Sequence, residues 1–160
     1  MSVALSTARL GLIILLLIMI SAFFSSAETA LTAASEARIR QLAKTKAKRQ
    51  AMRVEKLRKN KEELISTLLV GNNLVNILAS ALATSAAISL TGDGGVALAT
   101  LVMTVIIVLF AEVLPKSYAF NNADRFSLKI ALIVQIIVWA LKPVTWSLRV
   151  SVIRLLRNKS

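Results

Sequence analysis

The sequence has no cysteine and no histidine in its 160 residues. Without thiols there is no disulfide, no zinc finger and no thiol nucleophile. Without imidazole there is no histidine proton relay and no histidine-ligated haem, so a bound metal must be held by oxygen, which points to hard cations. Acidic residues are also scarce, 8 against 20 Lys and Arg, for a net charge of +12, and aromatics make up only 5%. What is abundant is grease. A hydrophobic content of 56% and a mean hydropathy of +0.71 exceed the roughly 45–50% apolar content of soluble domains. This excludes a disordered basic tail, and the length allows one domain.

Charge and grease are segregated along the chain. Residues 10–27, 64–92 and 94–111 carry no charge, and each approaches or exceeds the ~20 residues a helix needs to cross a bilayer core. A fourth apolar run, 130–141, lies between Lys129 and Lys142 and falls in the ~10–14 residue range of interfacial or re-entrant segments. Eleven of the 20 basic residues lie between Arg38 and Lys61, which makes that loop cytoplasmic. An outside N-terminus and three spans then put the turn at 91–95 outside. The tail with Lys142, Arg149, Arg154, Arg157 and Lys159 falls inside. A fourth span would reverse that tail. The expected fold is therefore an all-α integral membrane module with three transmembrane helices, N-terminus outside and C-terminus cytoplasmic. Its spans are about 10–34, 64–90 and 95–114, its basic loop 38–63, and its belt of in-plane helices about 122–158. In the loop, Ile39, Leu42, Met52, Val54 and Leu57 punctuate the charges at partly helical intervals. In the tail, Val144, Leu148, Ser151, Val152 and Leu155 share a face, so both segments are expected to be amphipathic helices, solvated or lying at the headgroup boundary.

Two competing readings are weaker. Residues 10–20 with Ser25-Ser26-Ala27 could be a cleaved signal peptide, but the charged leader is a single Arg9. The basic loop could bind nucleic acid, but no aromatic residue interleaves its charges as a stacking platform.

Polar groups inside spans are expensive, so they mark candidate sites. Ser21, Ser25, Glu28 and Thr32 are spaced along one helical face, with Ser26 and Thr29 beside them. Asn73, Asn76, Ser80 and Thr84 repeat nearly the same spacing, preceded by Gly71-Asn72. The second uncharged stretch is too long for a straight crossing, so it must tilt, protrude or break, and Gly71 is the natural break point, where unwound carbonyls could face a cation. In the third span Pro115 removes an N–H and clashes with the carbonyl of Ala111, which predicts a kink beside Glu112, with Lys116 free to snorkel. Each residue alone could be interhelical glue. Three spans bringing oxygens to a similar depth, with Glu28 and Glu112 and no cation at the midplane, point to a cation site. The run of small residues at 79–87 marks close helix packing, within one chain or across a dimer.

At these clusters the sequence resembles the transmembrane module of the CorC/CNNM family of magnesium transporters. Ser21-Ala-Phe-Phe-Ser-Ser-Ala-Glu-Thr-Ala30, Leu69-Val-Gly-Asn-Asn-Leu-Val-Asn-Ile77 and Glu112-Val-Leu-Pro-Lys-Ser117 stand in the order and spacing of that family's motifs. The resemblance implies a non-enzymatic, multi-pass protein of the plasma (inner) membrane of a prokaryote. It also implies a homodimer paired through transmembrane helices, with a dehydrated Mg²⁺ in each subunit and Mg²⁺ export coupled to Na⁺ entry. Carried over, Ser25, Gly71, Asn72, Asn73 and Glu112 become the expected metal ligands, with Ser21, Ser26, Glu28, Asn76, Pro115 and Lys116 supporting or gating. ATP-binding cytoplasmic CBS domains, which family members carry, are not in these residues, as expected of an isolated membrane domain. Two other readings remain, a membrane anchor and dimerisation module whose polar residues are glue, and a passive divalent-cation channel.

Overall fold

Long uncharged runs of Leu, Ile, Val and Ala satisfy their own backbone only as helices once water is withdrawn, and helix is what forms. The computed structural model describes residues 2–45, 47–92 and 94–157, with side chains placed for 8–45, 47–92, 94–147, 150 and 151. Asp93 of the expected turn and Lys159 lie outside the described residues. The elements are α1 (Ser2–Ala33), α2 (Glu36–Leu42), α3 (Lys48–Lys59), α4 (Lys61–Thr91) and α5 (Gly95–Ile106). A π-helical segment (Ile107–Val113), α6 (Leu114–Asn121) and α7 (Ala123–Arg157) follow, with no strand among the described residues.

The helix boundaries have local causes. Helix α4 ends where Gly92 takes φ 71°, the left-handed conformation of a terminating glycine, with its N–H on the Ile88 carbonyl at 2.9 Å. Helix α1 ends at an arginine. Arg58 on α3 donates Nη1 to the Ala34 carbonyl at 2.8 Å, satisfying an acceptor that the helix end would otherwise leave bare.

Among the described residues, four segments are long and apolar enough to cross a membrane, Ala8–Ala33, Lys61–Thr91, Gly95–Asn121 and Ala123–Ser147. Three were expected. The additional one arises because α7 is a single helix that runs on past Lys129, Lys142 and Pro143, the residues that made 130–141 look short.

The chain divides into two compact units, Met1–Ser26 with Gly71–Asn121, and Ala27–Val70 with Asn122–Ser160. In the first, Phe24 is buried together with Ser21, Ser25, Ser26, Ala79, Met103 and Ala111. In the second, α2 packs on α3 and α3 on α7 around buried Leu31, Ile39, Val54, Leu57, Leu64, Leu68, Ile130 and Val134. The basic loop is therefore not a headgroup-lying helix throughout. Ile39, Val54 and Leu57 are buried in protein because α2 and α3 turn their apolar positions onto their own unit, and of the loop's five expected boundary residues Met52 is exposed and Leu42 half-buried.

Candidate functional site

The first unit collects most of the expected site residues. On α1, Ser21 and Ser25, one turn apart, are 0% and 1% exposed. Hydroxyls buried this deeply in an apolar helix require partners. Ser21 Oγ donates to Asn72 Oδ1 on α4 at 2.7 Å. Beside this bond the ring of Phe24 lies against Gly71, and a Cβ on Gly71 would fall 2.6 Å from both Cε1 and Cζ of that ring. The helices thus meet through two adjacent fittings, an aromatic ring on bare backbone and a hydroxyl on an amide.

This contact corrects the expected role of Gly71. Helix α4 is continuous from Lys61 to Thr91, so Gly71 does not unwind it, and its carbonyl stays in the helical hydrogen-bond ladder. The glycine is needed for closeness. A missing side chain can be used to bend backbone or to admit a neighbour, and Phe24 uses it for the second.

The asparagines separate by helical angle. Asn72 and Asn76 are half-buried, whereas Asn73 is exposed, because successive residues on a helix stand about 100° apart and Gly71, Asn72, Asn76 and buried Ala79 occupy the inward side. Asn76 Oδ1 is buried and has no hydrogen-bond partner among the described residues. A buried acceptor left in this state is costly, so this amide oxygen is suited to a guest that brings positive charge or a proton. Ser26 Oγ instead donates back to the Ala22 carbonyl of its own helix at 2.7 Å, which removes that proton from other use.

Glu112 sits half-buried inside the π-helical segment, next to fully buried Ala111. A kink was expected here from Pro115, and what the structure has is a π-helical turn. The N–H of Leu114 reaches back to Leu109, five residues, so the widened turn is in place before the proline arrives without an N–H of its own. Single widened turns of this kind concentrate at functional sites. Pro115 is half-buried and Lys116 exposed. Glu28 falls in the second unit, half-buried, where its carbonyl accepts from Thr32 Oγ1 at 2.8 Å. The polar stripe of α1 is thus divided between the units. Among the described residues no three acidic side chains gather as a metal cluster. A cation held here depends on neutral oxygens with at most one or two carboxylates.

Sequence reasoning passed over Phe24, although it stands inside the quoted 21–30 motif, because an aromatic in a span carries no polar signal. It also left Arg58 and Asp124 unassigned. Asp124 accepts from the Ser35 N–H at 2.7 Å and from Arg38 Nη1 at 3.1 Å, tying the start of α7 to the start of α2.

Against known proteins, residues 12–159 match the family model of the Cyclin M (CNNM) transmembrane N-terminal domain. The chain is 43% identical over 129 residues to the UPF0053 inner membrane protein YfjD of Escherichia coli, covering 81% of this chain and 30% of that protein. It is 36% identical over 149 residues to a UPF0053 protein of Haemophilus influenzae, covering 93% and 35%. A chloroplastic DUF21 domain-containing protein of Arabidopsis thaliana shares 40% over 136 residues, covering 85% and 19%. The chain spans about a third or less of the length of these relatives.

Proposed function

Since the chain belongs to the CNNM transmembrane-domain family, we propose that it carries Mg²⁺ across the membrane as a homodimer paired through its transmembrane helices, exporting it by alternating access coupled to Na⁺ entry. The observation that carries this reading is the polar layer of the first unit, with Ser21 and Ser25 buried and Asn72 and Asn76 half-buried. Ser21 and Ser25 on α1 and Asn72 and Asn76 on α4 occupy positions that packing alone would fill with Ala or Leu. The ligands proposed are Ser25, Asn72 and Glu112, with Ser21 orienting Asn72 and the Asn76 amide oxygen open to the ion. Such a set is weak by design. Mg²⁺ wants near-octahedral oxygens at about 2.0–2.1 Å and gives up water reluctantly, and one carboxylate among neutral oxygens lets it leave again. The widened turn carrying Glu112 is the element that bends as access changes.

The membrane proposed is the plasma membrane, in keeping with the name of the Escherichia coli relative. The topology proposed keeps three crossings, with the N-terminus outside and α7 along the cytoplasmic interface. Charge placement supports it, as does the face α7 leaves uncovered, where Ile136, Trp139, Val144 and Trp146 are exposed around Lys142. Tryptophan and lysine together are the residues of the headgroup level. With no native cysteine, single-cysteine labelling tests this cleanly. Met52→Cys and Ser147→Cys should react from the same side of sealed vesicles, and reaction from opposite sides would make α7 a fourth span.

The test of function is calorimetric titration of the detergent-purified chain with Mg²⁺, with Ca²⁺ as competitor. Saturable, Mg²⁺-preferring heat is expected, lost in Asn72→Ala and Glu112→Gln and kept in Asn73→Ala, followed by vesicle flux that requires a Na⁺ gradient. A folded wild-type chain without specific heat would leave the polar layer as helix glue in a membrane anchor. Flux indifferent to Na⁺ would make it a channel.

A further inference from the structure

The second unit contains a half-open cavity of about 400 Å³, lined by parts of α1, α2, α3 and α4 and by no residue of the proposed ion site. That volume lies within the ~300–1,000 Å³ of pockets that hold small ligands. Its floor is apolar, with Leu31, Ile39 and Leu64 each at most 2% exposed. Its walls carry four cations, Arg40, Arg58, Lys59 and Lys61, against two carboxylates, Glu36 and Glu55. Arg40 is engaged by Glu36 one turn away. The ion pairs among the described residues take none of the other three cations. Arg58 is held in place by a neutral acceptor, the Ala34 carbonyl. Its fork is therefore oriented while its charge stays uncompensated.

We infer that this cavity binds a phosphate ester of a small polyol, such as a glycerol phosphate headgroup, independently of ion transport. A guanidinium fixed by one N–H has others left for phosphate oxygens, and the flanking lysines add point charges. The single carboxylate not engaged by a cation, Glu55, accepts from a hydroxyl of the ester. The apolar floor takes the carbon skeleton. A bare inorganic anion would use the cations and leave both of those features idle. The segment lies on the side of the membrane that its charge makes cytoplasmic, where anionic lipids present such headgroups and soluble phosphate esters also occur.

Native mass spectrometry of the detergent-solubilised chain separates the sources, with phosphatidylglycerol, phosphatidylcholine or glycerol 3-phosphate added. Phosphatidylglycerol should be retained in preference to phosphatidylcholine. Lys59→Gln with Lys61→Gln should weaken retention about tenfold. The pair Lys48→Gln with Arg49→Gln removes the same charge from exposed positions on α3 outside the cavity and should leave binding intact. Binding of glycerol 3-phosphate that competes with the lipid assigns the site to soluble esters. Equal loss in both double variants would reduce the effect to diffuse surface charge and overturn the proposal. So would absence of both phosphatidylglycerol preference and glycerol 3-phosphate binding.

Discussion

Of the chain's 28 charged residues, four (Arg9, Asp93, Glu112 and Lys116) fall within the sequence ranges of the first unit and the other 24 within those of the second. The two are secured accordingly. The first relies on shape and neutral hydrogen bonds, with Phe24 fitted to Gly71 and Ser21 bonded to Asn72. The second adds charge at its helix ends, with Arg58 on the Ala34 carbonyl, Asp124 receiving Ser35 and Arg38, and Lys142 facing Glu63 at 3.8 Å. Where water is absent an ion is too costly to serve as a fastener, so small and neutral groups take that role. Where water is near, charged groups can close backbone ends.

The largest loss is expected at Gly71, where the first unit depends on shape. Gly71→Val puts a branched side chain where even one carbon meets the Phe24 ring, and a loss of about 1–3 kcal/mol is expected from such overpacking. Thermal unfolding in detergent reads it, and Phe24→Ala in the same chain should recover part of the loss. If the valine variant melts like wild type, the close fit does not hold the first unit together.

Next is the charged fastener. Arg58→Ala uncovers the Ala34 carbonyl, and removal of a charged donor from a partly buried acceptor costs about 1–3 kcal/mol. Hydrogen exchange should accelerate at the end of α1 and in α2. Exchange confined to the α3 region alone would contradict the capping role.

A finer contrast lies between adjacent asparagines. Asn72→Ala strips Ser21 of its acceptor and should cost about 0.5–1.5 kcal/mol, the range of hydrogen bonds between helices in membranes, whereas exposed Asn73→Ala should leave the melting temperature unchanged. The reverse order would show that the inward face of α4 is misassigned.

The smallest effect is expected at Asp124. Its partner Arg38 is 71% exposed, and pairs of this kind contribute about 0–1 kcal/mol, diminishing with salt. Asp124→Asn should therefore shift the melting temperature slightly at low ionic strength and less at high, while a salt-independent loss would assign the stability to the Ser35 N–H bond instead.

Much of the molecule was legible in its residues because the governing terms are local. The cost of burying charge divided the chain into apolar helices and a basic segment, self-satisfaction of the backbone made every span helical, and three motifs pointed to the family. Other features depended on where helices meet. Gly71 looks the same in sequence whether it unwinds a helix or receives a ring, and only the position of Phe24 decides. Asn72 and Asn73 differ by one helical step, so the orientation of α4, set by all its packing, chooses which one turns inward. The apolar positions of α2 and α3 suited a lipid boundary equally well until α7 was there to cover α3. The length of α7 was hidden by lysines that a helix tolerates when their ends reach water. Local solvation energy is written residue by residue, and the sequence alone determines what depends on it. Contacts between residues distant in the chain are fixed only when whole helices settle against each other, and those the tertiary structure decided.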